Sequence, residues 1–250
     1  NPEGIRIGGQ SRNKRAVKVW EKREFRNLDD SVELGTRNLK VVLRKLRKFA
    51  RTGAADQLDL DDTISSTARN AGYLDLKMVP ERHNAVKVLL FFDVGGSMDP
   101  YIRECEQLFS AARSEFKHLE YFYFHNCVYE KVWRNNQRRG TFNDRSDTIP
   151  TMELLHTYGR DYRVIFVGDA AMSPYELLYA QGSVEHWNEK PGVDWMNAIL
   201  HHFDHVVWLN PQPESHWHYY HSIGLMRQIV RERMFPLTVD GIGRAIKALS

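Results

Sequence analysis

Seven consecutive residues, Val86-Lys87-Val88-Leu89-Leu90-Phe91-Phe92, carry six apolar side chains and one polar one. Strand side chains alternate between two faces, so a run that is apolar on both must be covered on both. A central strand of a parallel sheet layered by helices meets that condition. Residues 162–167 and 206–209 have the same character. Further strands are predicted over 121–124, 128–133 and 235–239. Helices are predicted over 100–117, 148–158, 174–180 and 193–202, then through Leu225 and Val230, and at the C-terminal end. Strands alternating with helices predict an α/β fold over residues 85–250: a doubly wound, mainly parallel sheet with helices on both faces.

Residues 1–84 lack that alternation and read as an N-terminal arm and helical extension. The arm is polar, with Gly4, Gly8, Gly9 and one strand-like stretch, Ala16-Val17-Lys18-Val19-Trp20. Over 37–51, Leu39, Leu43, Leu46 and Phe49 fall at helical spacing among seven basic residues, which predicts an amphipathic basic helix with its apolar stripe packed inward. Asp61 and Asp62 are placed to cap a short helix ending near Arg69. A strand over 74–79 is expected to pair with the central strand through a turn at 80–84.

With 35 basic against 32 acidic residues the net charge is only +3, which does not favour nucleic acid as a partner; the basic helix face suits an acidic protein surface or plain solvent. No apolar run approaches the ~20 residues of a membrane-spanning helix. Two cysteines, Cys105 and Cys127, lie in a predicted helix and strand, and no signal-peptide pattern precedes them in this sequence. A soluble, cytoplasmic protein with no membrane partner is therefore expected.

Two apolar strands end alike. Phe92 leads into Asp93-Val94-Gly95-Gly96-Ser97-Met98, and Val167 into Gly168-Asp169-Ala170-Ala171-Met172. Ligands of open α/β sheets bind at the carboxyl edge, so two aspartates and a hydroxyl there make a candidate site for a hard cation. Thr148, on a loop that can return to the same edge, is a third candidate, with Thr151 as the alternative. The competing reading is that Asp93 and Asp169 only cap the helices that follow their strands.

Asp93-Val94-Gly95-Gly96-Ser97 resembles the D-x-S-x-S motif of von Willebrand factor A (VWA) domains, which carry a metal-ion-dependent adhesion site. The resemblance covers residues 85–250. It implies Mg2+ or Mn2+ held by Asp93, Ser97, Thr148 and Asp169, with an acidic side chain of a protein partner completing the coordination. Gly95 departs from the motif, which has a serine there; a water is expected in its place, since magnesium keeps several waters. The whole chain is similar to the bacterial CoxE-like proteins, through Arg6-Ile7-Gly8-Gly9-Gln10, the basic helix, the 91–98 loop and Val207-Trp208-Leu209-Asn210-Pro211. That likeness implies a non-enzymatic adaptor or co-chaperone working with a MoxR-type AAA+ ATPase in the maturation or remodelling of other proteins.

The alternative from another class is a haloacid-dehalogenase-like phosphotransfer enzyme with Asp93 as nucleophile. Its general acid would stand two residues on, where this chain has Gly95. His201 and His205 have a zinc-compatible spacing but no H-E-x-x-H pattern, and His205 is expected to open a strand. Trp208, Trp217, Tyr219 and Tyr220 are expected to pack the last sheet edge.

Overall fold

The apolar run forms the centre of a seven-stranded sheet. In the computed structural model, residues 36–49, 55–70, 73–80, 86–135, 148–184 and 187–250 are described. The polar arm with its strand-like stretch, the Arg6 to Gln10 motif, the expected turn after Pro80 and the loop entering Thr148 lie outside them. The elements are α1 (Thr36–Phe49), β1 (Ala55–Leu58), α2 (Leu60–Arg69), β2 (Met78–Pro80), β3 (Lys87–Asp93), α3 (Ile102–Glu115), β4 (His118–Phe124), β5 (Lys131–Trp133) and β6 (Thr148–Pro150). They continue with α4 (Thr151–Thr157), β7 (Arg163–Val167), α5 (Pro174–Leu178), α6 (Gly192–His202), β8 (His205–Asn210), α7 (His221–Ile229), β9 (Met234–Pro236) and α8 (Val239–Ala248).

The large sheet has the order β6-β5-β4-β3-β7-β8-β9. Strands β4, β3, β7, β8 and β9 are parallel, while β5 and β6 add an antiparallel edge. From β3 the chain moves outward through β4, β5 and β6, then returns to β7 on the other side of β3. The winding therefore reverses between β3 and β7, and the crevice at such a switch point is where open α/β sheets bind ligands.

Two apolar clusters divide the strand residues alternately. Leu89 and Phe91 belong to one, with residues of α4, α5, α6 and α7; Val88, Leu90 and Phe92 belong to the other, with residues of α1, α3 and α8. Beneath the switch point Phe91 stacks on Phe166 at 4.8 Å and Phe166 on Trp208 at 5.3 Å, a rigid apolar floor spanning three strands.

Helix α1 buries Val42, Leu43 and Leu46 in the second cluster, with Leu39 partly buried against it. Its outer side is less idle than the sequence suggested: the Arg44 guanidinium donates to both carboxylate oxygens of buried Glu115 on α3, at 2.9 and 3.2 Å. A planar fork on a carboxylate locks the angle between two helices as well as their charges.

Several expectations need correction. Met78–Pro80 pairs antiparallel with β1 in a separate two-stranded sheet, because both neighbours of β3 are parallel strands. The cap of α2 is Asp59, which accepts from the Asp62 amide at 3.1 Å, while Asp61 and Asp62 stand in the first turn. The expected helix over 148–158 begins only at Thr151, since Thr148, Ile149 and Pro150 pair with β5 first. Of the aromatic set, Trp208 and Trp217 are buried but Tyr219 and Tyr220 face solvent. Cys127 lies in the loop after β4 rather than in a strand, and burial raises both thiols above their ordinary range. No helix among the described residues is long and apolar enough to cross a membrane.

Candidate metal centre

Asp93 is the last residue of β3, and Asp169 follows β7 after a single glycine; Phe92 and Val167 are direct partners in the sheet. The two carboxylates thus stand side by side at the switch point. Both are buried, Asp93 being 5% exposed and Asp169 1%.

Each carboxylate is half satisfied in the same way. Oδ1 of Asp93 accepts from the amides of Gly95 at 2.8 Å and Asn126 at 2.9 Å, and Oδ1 of Asp169 accepts from the Ala171 amide at 3.0 Å. The second oxygen, Oδ2, is buried without a hydrogen-bond partner in both. Burial and, after it, the charge of Asp169 raise the Asp93 carboxyl from 3.8 to about 7. Bare buried carboxylate oxygens cost free energy and recur where a cation or a proton is meant to sit.

Neither aspartate is a helix cap. Helix α3 starts from Tyr101 with no side-chain cap, and α5 is capped by Ser173 through a capping box closed by Glu176. The capping alternative therefore fails for both acids.

The surrounding backbone is built to hold this pair. A side chain at Gly168 would be crowded: a Cβ there would meet the Asp93 Cβ at 3.0 Å, Trp208 Cζ2 at 3.1 Å and Asp93 Oδ2 at 3.2 Å, so these neighbours would have to give way. From β8, the Trp208 indole donates to the Gly168 carbonyl at 2.7 Å and the Asn210 amide to the Asp169 carbonyl at 2.8 Å, pinning the loop from below. Ala170 is held at φ 53, a left-handed backbone costing a non-glycine residue ~1–2 kcal/mol, which places strain right beside Asp169.

Ser97, at the start of a 3-10 turn (Gly96–Tyr101), is exposed, and its Oγ would lie 3.6 Å from a Cβ on Gly95. Its hydroxyl thus lies beside Gly95 and is open to solvent. Thr148 does not join it. It opens the edge strand β6, three strands from β3, roughly 14 Å away at ~4.8 Å per strand. Thr151 is buried and donates its hydroxyl to the Tyr129 carbonyl at 2.5 Å.

Three residues near the site escaped sequence reasoning. Asn126, at φ 58 just past β4, gives its amide to Asp93. Buried Glu176 accepts from the Asn126 side-chain amide at 3.0 Å. Tyr101, whose phenol is raised first by burial and then by Asp169, lies beside the second acid. The available signal was that residues 121–124 also run to the same edge, so the His125-Asn126 loop had to arrive there.

A cation fit can be judged from the donors. All are hard oxygens, which suit Mg2+ or Mn2+ and not zinc or copper. Among the described residues no three His, Cys, Asp or Glu side chains converge to hold a metal. A cation here would thus have two carboxylates and take its other ligands from hydroxyl, amide and water, as magnesium commonly does. The histidine alternative is broken by the fold: His201 lies in the last turn of α6 with Nδ1 2.6 Å from the Asn197 carbonyl, and His205 opens β8.

The chain matches no protein-family model, and no curated protein or solved structure is significantly similar to it.

Proposed function

We propose that this chain is a doubly wound, VWA-like α/β protein of the CoxE-like kind that binds Mg2+ or Mn2+ and through it docks an acidic side chain of a partner protein. The observation that carries this reading is the pair of buried aspartates on neighbouring strands, each with one oxygen tied to backbone amides and the other left bare. Asp93, Ser97 and Asp169 would hold the cation. It would supply a positive charge and an open coordination position at an otherwise acidic edge, which is how a metal can select a carboxylate-bearing surface.

No bond need be made or broken. Gly95 leaves Asp93 without the neighbouring acid that phosphoryl transfer requires, which favours binding over catalysis. The partner proposed is a MoxR-type AAA+ ATPase, with the protein acting as its adaptor or co-chaperone in the cytoplasm. A pull-down on purified ATPase with Mg2+, with chelator, and with Asp93→Ala tests this. Retention in Mg2+ alone supports it; equal retention in all three arms removes the metal from the reading, and no retention in any arm removes the ATPase.

A further inference from the structure

At the position where the resembled motif carries a serine, this chain has Gly95, and the space beside that glycine is already filled. An ideal Cβ on Gly95 would meet Asn126 Oδ1 at 2.6 Å, Asp93 Oδ1 at 3.1 Å and Ser97 Oγ at 3.6 Å. Three oxygens from three separate points of the chain therefore converge on one face of Gly95. A distance of 2.6 Å leaves no room for both a residue-95 side chain and the Asn126 amide as it stands.

The direction of that amide is fixed by its other end. Nδ2 of Asn126 donates to Glu176 Oε2 at 3.0 Å, while Glu176 Oε1 accepts from the Ser173 amide at 3.2 Å. Both Glu176 oxygens accept, so the NH2 end of the Asn126 amide faces Glu176 and its carbonyl end faces Gly95. Glu176 is itself 3% exposed and set in the first turn of α5 by the capping box. The backbone assists: Asn126 sits at φ 58, where asparagine is among the few side-chain-bearing residues tolerated, and its own amide is tied to Asp93.

We infer that Asn126 Oδ1 supplies the protein oxygen that Gly95 removes from the cation site, and that Glu176 is the positioning residue that aims it. The inference rests on the cation reading above and replaces the expected water with an amide oxygen, a common ligand of hard cations. It also couples two positions: glycine at 95 and asparagine at 126 fit together, while serine at 95 needs a small residue at 126.

The test is Mn2+ binding followed by the loss of the free-ion electron paramagnetic resonance signal, with circular dichroism confirming the fold of each variant. Asn126→Gly keeps the left-handed backbone accessible while removing the oxygen; it is expected to weaken Mn2+ binding by about tenfold or more. Gly95→Ser on top of Asn126→Gly restores a hydroxyl in the vacated space and is expected to recover most of that loss. Glu176→Gln, which lets the amide turn round, is expected to weaken binding by less than Asn126→Gly does. Mn2+ binding by Asn126→Gly equal to wild type, with Asp93→Asn abolishing it, overturns the role of Asn126 and leaves the cation reading standing. A wild-type protein that binds no Mn2+ overturns both.

Discussion

Asp93→Asn should make the metal-free protein more stable at alkaline pH, although it removes a proposed cation ligand. Asparagine keeps an Oδ1 acceptor for the Gly95 and Asn126 amides and removes only the charge that burial and Asp169 disfavour. The folded carboxyl stands at about 7 against 3.8 for an ordinary aspartate. A raised acid of this kind supports the fold when protonated; its contribution is complete below pH ~4 and lost as pH rises through ~7. At ~1.4 kcal/mol per pH unit the loss reaches about 4 kcal/mol by pH 8, an upper bound on what the substitution recovers. For a chain of this size each kcal/mol is worth ~2–4 °C, so a gain of up to about 16 °C is expected. Scanning calorimetry in EDTA at pH 5 and pH 8 reads this directly: the variant should melt well above wild type at pH 8 and by less than half that margin at pH 5, where less than about 2 kcal/mol has been lost. Adding Mg2+ at pH 8 should raise wild type only. A variant that melts below wild type at pH 8 refutes the argument, because Asp93 would then be an ordinary satisfied carboxylate.

Leu43→Ala, which empties a side chain 1% exposed, should destabilise by ~2–5 kcal/mol in denaturant melts. On the same helix Arg44→Glu should lower stability, because it places a second negative charge against buried Glu115, whereas Lys45→Glu, at an exposed position, should change it by no more than ~0.5 kcal/mol. Gly168→Ala drives a methyl group into Asp93 and Trp208 and should cost ~1–3 kcal/mol while weakening Mg2+ binding, read by melts with and without the ion. Wild-type protein should leave an aryl phosphate ester intact in a phosphatase assay; turnover that disappears in Asp93→Asn while the fold persists would establish the phosphotransfer alternative.

The parallel core was legible because a strand covered on both faces has to be apolar throughout, and residues 86–92, 162–167 and 206–209 are. The two acids could be paired for the same reason: both follow such strands, and parallel strands end at one edge. Pairing between short segments was not legible. Met78–Pro80 carries nothing in its three residues that prefers β3 over β1, and the choice is made by β4 occupying one edge of β3 and β7 the other. Thr148 illustrates a second limit. Its loop could reach the carboxyl edge in principle, yet the antiparallel β5–β6 pair carries it outward, away from Asp93. Nor could Arg44 be told from its basic neighbours, since its partner Glu115 lies 71 residues away. Asn126 was hidden because its importance comes from a backbone conformation and from what Gly95 leaves vacant, neither of which a spacing rule encodes.

Whether Asp93 and Asp169 together hold a divalent cation is read by calorimetric titration of chelator-stripped protein with Mg2+ at pH 8. Binding at a single site is expected in wild type, and its loss in Asp169→Ala, which removes the bare Oδ2 while leaving the β7 and β8 pairing in place. Absence of binding heat in wild type at millimolar Mg2+, or an isotherm unchanged by Asp169→Ala, would contradict that expectation.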